Sequence, residues 1–117
     1  MSDGLLSRLI DLIGDEATLA LVTARGGRSV YVPERPTAQT EIAKIVGLDA
    51  ATILGQSFGR ESIIVPVARE WRVLQYDAQA MSVPQIAALT GCHVDTVRKI
   101  RRRHGLSAAQ LDLFGGL

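Results

Sequence analysis

The first 66 residues contain one stretch of sequence twice, and this repeat limits the fold more than any other feature. Residues 13–33 read IGDEATLALVTARGGRSVYVP and residues 46–66 read VGLDAATILGQSFGRESIIVP, an ungapped match at an offset of 33. Gly14/Gly47, Ala17/Ala50, Leu21/Leu54, Gly26/Gly59, Ser29/Ser62, Val32/Val65 and Pro33/Pro66 are identical pairs; Ile13/Val46, Glu16/Asp49 and Val30/Ile63 are conservative ones. Self-similarity at a fixed offset marks one supersecondary unit used twice.

Each unit reads as helix, helix, strand. In the first, Leu5, Leu6, Leu9, Ile10, Leu12 and Ile13 recur at helical spacing. Gly14 stops that helix, Asp15 is placed to cap the next, and Ala17, Leu21 and Ala24 continue one face. Gly26-Gly27 ends it, and Val30-Tyr31-Val32 is a short strand closed by Pro33. In the second, Thr37 is placed as an N-cap, Ile42, Ile45 and Val46 form the face, and Gly47 stops it. Asp49 caps a helix running to about Ser57, and Ile63-Ile64-Val65 is the second strand, closed by Pro66. A lone two-stranded ribbon is marginal in water, so the strands must pair over the helices. The expected fold is mainly α with a small two-stranded β ribbon.

Beyond Pro66 the pattern changes. Val67, Trp71, Leu74 and Ala78 recur at helical spacing and predict a helix to about Ala80, with Trp71 in the core. Residues 83–102 read VPQIAALTGCHVDTVRKIRR. Ile86 and Ala87 face inward on a short helix, Gly91 takes a tight turn that suits a residue without Cβ, and Cys92 follows as a small apolar residue. Val94, Val97 and Ile100 then stripe a second helix. The set of residue types and spacings is that of a helix-turn-helix. The domains are therefore residues 1–66 (units about 5–33 and 38–66), residues 67–104, and a tail at 105–117.

The second helix of that motif carries the chemistry of DNA reading. Its N-terminal part meets base edges in the major groove, which selects Asp95, Thr96, Arg98 and Lys99. Arg and Lys suit guanine O6/N7, and a carboxylate can accept from cytosine N4. Arg101, Arg102 and Arg103 come later and are expected at phosphates, where they add salt dependence rather than sequence choice. The net charge is only +1, yet five of the seven Lys/Arg in residues 67–117 fall between Arg98 and Arg103. Such local charge fits a DNA-reading head on a near-neutral body. A decoy in the repeat, Ile42-Ala43, Gly47-Leu48 and Ile53, has similar spacing. Its second helix, residues 50–59, has no Lys or Arg and so reads as structural.

Other classes find little support. The single cysteine, Cys92, excludes an internal disulfide, and His93 beside it has no second pair at zinc spacing. No metal or cofactor is expected. No nucleophile–base arrangement or phosphate loop appears, so the chain is not expected to be an enzyme. No secretory leader or apolar run of membrane-spanning length is visible, so a cytoplasmic protein with no membrane partner is expected.

The order of a GG-x-x-x-YVP strand, a helix and a terminal helix-turn-helix ending in VRKIRRR resembles the Mor family, the middle- and late-promoter activators of Mu-like phages. The resemblance rests on Gly26-Gly27 with Val30-Tyr31-Val32-Pro33, on the echo Gly59 with Ile63-Ile64-Val65-Pro66, and on residues 83–103. It implies a transcription activator that contacts RNA polymerase, with an N-terminal dimerisation domain of helices and a paired strand. It also implies that the glycine turn and strand lie near the DNA backbone, a role that falls by position on Gly59, Arg60 and Ser62. The chain departs from the family pattern at Arg60, where a glycine is expected, and at Ile64, where a tyrosine is expected. The family needs the helix–helix–strand unit once per chain, and here it occurs twice. Two arrangements follow: a homodimer reading two half-sites, or a single chain holding both halves as a pseudo-twofold unit. The reading favours the homodimer, because one small head gives little affinity.

Gln110-Leu111-Asp112-Leu113-Phe114 is similar to the pentapeptide with which bacterial replication and repair proteins dock on the sliding clamp. Leu113 and Phe114 would fill an apolar pocket while the Gln110 amide fixes register. The alternatives are a tail folded on the head, or an adaptor coupling bound DNA to replication.

Overall fold

The computed structural model describes residues 2–105 and consists of six helices and one two-stranded sheet. The chain divides between Ala68 and Arg69 into two compact units. Among the described residues no helix is long and apolar enough to cross a membrane. The Gln110–Phe114 pentapeptide lies outside the described residues.

The first unit is α1 (Ser2–Arg25), β1 (Ser29–Val32), α2 (Glu41–Val46), α3 (Leu48–Phe58) and β2 (Glu61–Ile64). The repeat is visible in its backbone. Gly14 interrupts α1 with φ 84° and ψ 172°, and its repeat mate Gly47 separates α2 from α3 with φ 92° and ψ 156°. Both are positive-φ breaks of the kind that favours glycine. Buried side chains also recur at the offset of 33: Leu9 with Ile42, Thr18 with Ala51, Leu21 with Leu54, Val30 with Ile63 and Val32 with Val65.

Several local expectations are corrected. The N-cap of α2 is Thr40 rather than Thr37, and its hydroxyl accepts from the Thr37 N–H at 2.9 Å. Gly47 occupies the N-cap of α3, so Asp49 sits inside the first turn, where a carboxylate favours the helix dipole instead of capping. In the second half of α1 the fully buried residues are Thr18, Leu21 and Val22, whereas Ala24 is exposed. The face is turned because α1 packs on both α2 and α3.

β1 and β2 pair antiparallel, with Ser29 opposite Ile64, Val30 opposite Ile63, Tyr31 opposite Ser62 and Val32 opposite Glu61. Strand side chains alternate between faces: Val30, Val32, Ile63 and Val65 are buried, while Ser29, Tyr31, Ser62 and Ile64 are exposed. The ribbon packs on α2 and α3, which supplies the support that an isolated pair of strands lacks. Beyond the strands, the Gly27 N–H donates to the Val65 carbonyl at 2.7 Å, and the Arg60 N–H donates to the Val32 carbonyl at 2.8 Å. Gly27 and Arg60 are repeat mates, and both have positive φ, 81° and 70°. Left-handed backbone costs an ordinary residue roughly 1–2 kcal/mol, partly offset by the freedom that glycine loses on folding. Arg60 holds only an exposed pair with Glu34, at 3.3 Å, worth little. Arg60→Gly is therefore expected to raise stability by about 0.5 kcal/mol, and Gly27→Ala to lower it by about 1–2 kcal/mol. Denaturant midpoints of the two variants check both signs.

Thr18 is fully buried, and among the described residues its Oγ1 has no hydrogen-bond partner. Its mate is Ala51, so the second half fills the same place without a hydroxyl. A buried unsatisfied polar group costs roughly 1–3 kcal/mol. Thr18→Val keeps the shape and is expected to stabilise the protein by about 1 kcal/mol in the same assay.

The second unit holds α4 (Arg69–Ala78), α5 (Val83–Thr90) and α6 (Val94–Arg103), each packed on the other two. The expected α4 stripe is corrected: Val73, Tyr76 and Asp77 are buried, Trp71 and Leu74 are half-buried, and Val67 and Ala78 are exposed. Val67 precedes the helix, and Ala68 has a positive φ of 46°. A stripe counted from Val67 therefore starts out of phase.

Candidate nucleic-acid interface

The residues that lead into α5 make it start sharply. The Ser82 Oγ accepts from the Gln85 N–H at 3.3 Å, and the Gln85 Oε1 accepts from the Ser82 N–H at 3.0 Å. This reciprocal capping box satisfies two donors that a helix start leaves free, and Pro84 stands in the first turn, where no N–H is needed. Ile86 is fully buried, and the buried Thr90 hydroxyl donates to the Ile86 carbonyl at 2.7 Å. Gly91 ends the helix in the left-handed region, φ 72° and ψ 14°, with its N–H on the Ala87 carbonyl.

Two residues later α6 begins, and His93 is its N-cap. The Nδ1 atom accepts from the Asp95 N–H at 3.1 Å. A histidine was not an obvious cap in the sequence, because the usual cap residues are Ser, Thr, Asp and Asn. Asp95 lies in the first turn and Arg101, Arg102 and Arg103 in the last, each sign at the end where the helix dipole favours it. Val97 is fully buried, Ile100 nearly so and Val94 half-buried; Asp95, Thr96, Arg98, Lys99, Arg102 and Arg103 are exposed. The helix thus buries one apolar stripe and offers the opposite face.

Ion pairs divide the basic residues of α6. Arg101 Nε lies 3.2 Å from Asp77 Oδ1, and Asp77 is buried on α4. Arg103 pairs with Glu70 of α4, and His104 Nε2 lies 3.4 Å from the same carboxylate. The hydrogen bond from Arg103 holds the Glu70 carboxyl below the usual glutamate range, with His104 adding to the effect. A depressed acid stabilises above its unfolded-state pKa, and the stabilisation is lost as pH falls through its folded value. The tie between α4 and the end of α6 therefore weakens only in acid. Arg98 pairs with Asp95 at 3.2 Å. Among the described residues no ion pair engages Lys99 or Arg102. Arg98, Arg101 and Arg102 line a groove of about 410 Å³ with Val83 and Gly105.

Arg101 and Arg103, expected at phosphates, thus share their guanidinium groups with carboxylates of α4 in the unbound protein, and Lys99 and Arg102 do not. Asp77→Ala would leave the half-exposed Arg101 without its buried partner. It is expected to lower stability by about 1–2 kcal/mol, because the freed guanidinium can still reach water; thermal unfolding checks this. Gly59, Arg60 and Ser62 lie in the first unit, around the start of β2. The Arg60 side chain is 80% exposed, and its ion-pair partner is Glu34.

Three packed helices, a left-handed glycine turn and an exposed basic face on the third helix define the unit. Residues 66–110 match the homeodomain-like domain family. The second unit is a DNA-binding helix-turn-helix domain. In this arrangement α5 precedes the turn, α6 follows it, and α4 packs on both. Comparison with curated proteins and with solved structures finds no match.

Proposed function

We propose that the protein is a sequence-specific transcription regulator, an activator of phage or prophage promoters that reads DNA with α6. The carrying observation is the division of the α6 surface. Val97 and Ile100 hold the helix down, while Thr96, Arg98, Lys99 and Arg102 stand exposed on one short basic face. Asp95 joins them as an acceptor for cytosine. At 1.5 Å rise per residue such a helix spans about 15 Å, enough to cross a major groove. Resemblance to the Mor activators supports the activator role, the contact with RNA polymerase, and a phosphate-side role for Gly59, Arg60 and Ser62. The protein acts by binding and not by catalysis. Selection of bound sequences from random duplex DNA tests the reading, with Arg98→Ala/Lys99→Ala as control. An enriched motif lost in the control is expected; equal enrichment by both proteins would remove the assigned readers.

The Gln110–Phe114 sequence supports a second reading, a DNA-bound adaptor that docks the bacterial sliding clamp. Deletion of residues 110–114 separates the two: a promoter regulator keeps its reporter activity, and a clamp adaptor loses its function.

A further inference from the structure

We infer that one chain contains a complete pseudo-twofold module, so that the protein is a monomer with a single DNA-reading head and recognises an asymmetric duplex site. The inference rests on the DNA-reading assignment above for its target, and on the first unit alone for its stoichiometry.

The register of the ribbon is the first observation. Val30 faces Ile63, and these residues are repeat mates at the offset of 33. A twofold axis relating the two halves must therefore pass through this pair. Every other pairing then maps onto another. Ser29↔Ile64 maps onto Tyr31↔Ser62, and Gly27 N–H to Val65 carbonyl maps onto Arg60 N–H to Val32 carbonyl. The close approaches map too. A Cβ on Gly26 would lie 3.5 Å from Val67 Cα, and one on its mate Gly59 would lie 2.9 Å from Glu34 Cα, the mate of Val67.

The contacts that cross between halves are the second observation. Arg25 pairs with Glu41 at 2.8 Å. Their mates are Phe58 and Arg8, and the Arg8 guanidinium lies over the Phe58 ring at 4.5 Å from its centroid. The same place on the two sides of the axis is held by an ion pair in one case and by a cation–π contact in the other. Each side has become complementary to the other half and not to itself. A chain carrying only one half could not supply both members of either contact set, whereas this chain supplies all four residues.

Closure within the chain also wins kinetically and thermodynamically. Two segments joined by a short connection meet at an effective concentration of the order of millimolar. At micromolar protein, exchange of strands between two chains is outcompeted about a thousandfold. The ribbon is satisfied internally, so it leaves no second copy of the repeat to recruit. One chain then brings one α6 to DNA. The electrostatic footprint should be small: the three phosphate-side arginines of α6, Arg101, Arg102 and Arg103, give a salt slope near −3, and a two-headed dimer would give about twice that.

The full-length protein with Cys92→Ser, Ser29→Cys and Ile64→Cys tests the stoichiometry. Residues 29 and 64 are exposed and directly opposed, and opposed residues of antiparallel strands lie within disulfide range. Oxidation is expected to give a crosslink within one chain that migrates as monomer on a non-reducing gel; covalent dimers would overturn the inference. Sedimentation equilibrium of the unmodified protein gives an independent reading, expected at 12.6 kDa. Twice that mass at micromolar concentration would overturn it. The selection from random duplex DNA completes the test. An asymmetric motif with a salt slope near −3 is expected, and a palindrome would overturn the single head. A monomer that enriches no motif would remove the DNA-reading assignment while leaving the pseudo-twofold module standing.

Discussion

Leu21→Ala and Leu54→Ala are each expected to cost about 2–5 kcal/mol of folding stability. Both leucines are fully buried, one on the second segment of α1 and the other on α3. They are repeat mates. Truncation removes the transfer energy of the lost methyl groups and leaves a cavity whose cost depends on how far the surroundings collapse. The two sites should not collapse equally. Next to Leu21 stands Val22, a side chain that can shift; next to Leu54 stands Gly55, against which the Pro33 and Glu34 carbonyls close. A Cβ built on Gly55 would fall 2.7 and 2.6 Å from those oxygens. Backbone yields less than a side chain, so Leu54→Ala should lie nearer the upper end of the range. With a total stability of roughly 5–15 kcal/mol for a domain of this kind, either variant loses a large share. Denaturant unfolding followed by circular dichroism measures both. A negligible effect at one position and a full effect at the other would mean that the two halves do not share one core.

The repeat was legible because glycine, proline and buried leucine each act locally: Gly14 and Gly47 break helices by their own φ, and Pro33 and Pro66 close strands wherever they are placed. The turn at Gly91 and the stripe of Val97 and Ile100 were legible for the same reason, and the ribbon and mainly helical fold followed from them. What the sequence hid depends on partners distant in the chain. The pairing of Arg101 with Asp77 and of Arg103 with Glu70 joins α6 to α4, and no spacing rule distinguishes those arginines from Arg102 between them. The phase of α4 was lost at Ala68, a non-glycine residue with positive φ, which propensity does not flag. Arg60 is a similar case: glycine at its mate Gly27 signals the left-handed turn, but arginine in the same turn does not. The expectation of a homodimer came from judging one head too weak; the register of β1 against β2, which pairs the two repeat units inside one chain, was not legible in that judgement.

Loss of sequence preference in Arg98→Ala/Lys99→Ala is the second large effect. Each bidentate contact to a base edge contributes about 1–3 kcal/mol of discrimination, so removing two should lower the ratio of specific to non-specific affinity by about 30- to 20,000-fold. Arg98 must first leave Asp95. That pair is exposed and spaced i, i+3, worth only about 0.3–0.5 kcal/mol, so it does not hold the guanidinium back. Lys99 has no such tie among the described residues. Both side chains are exposed, so the fold should survive, and an unchanged circular dichroism spectrum would show that lost binding is not lost structure. Arg102→Ala supplies the contrast. A phosphate contact carries no sequence information; its removal should weaken binding to all duplexes alike and reduce the salt slope by about 0.9. If instead Arg102→Ala altered the preferred motif and the double variant altered only the slope, reading and anchoring would have to exchange places along α6. The base contacts would then lie at its C-terminal end, beside the two arginines that α4 already holds.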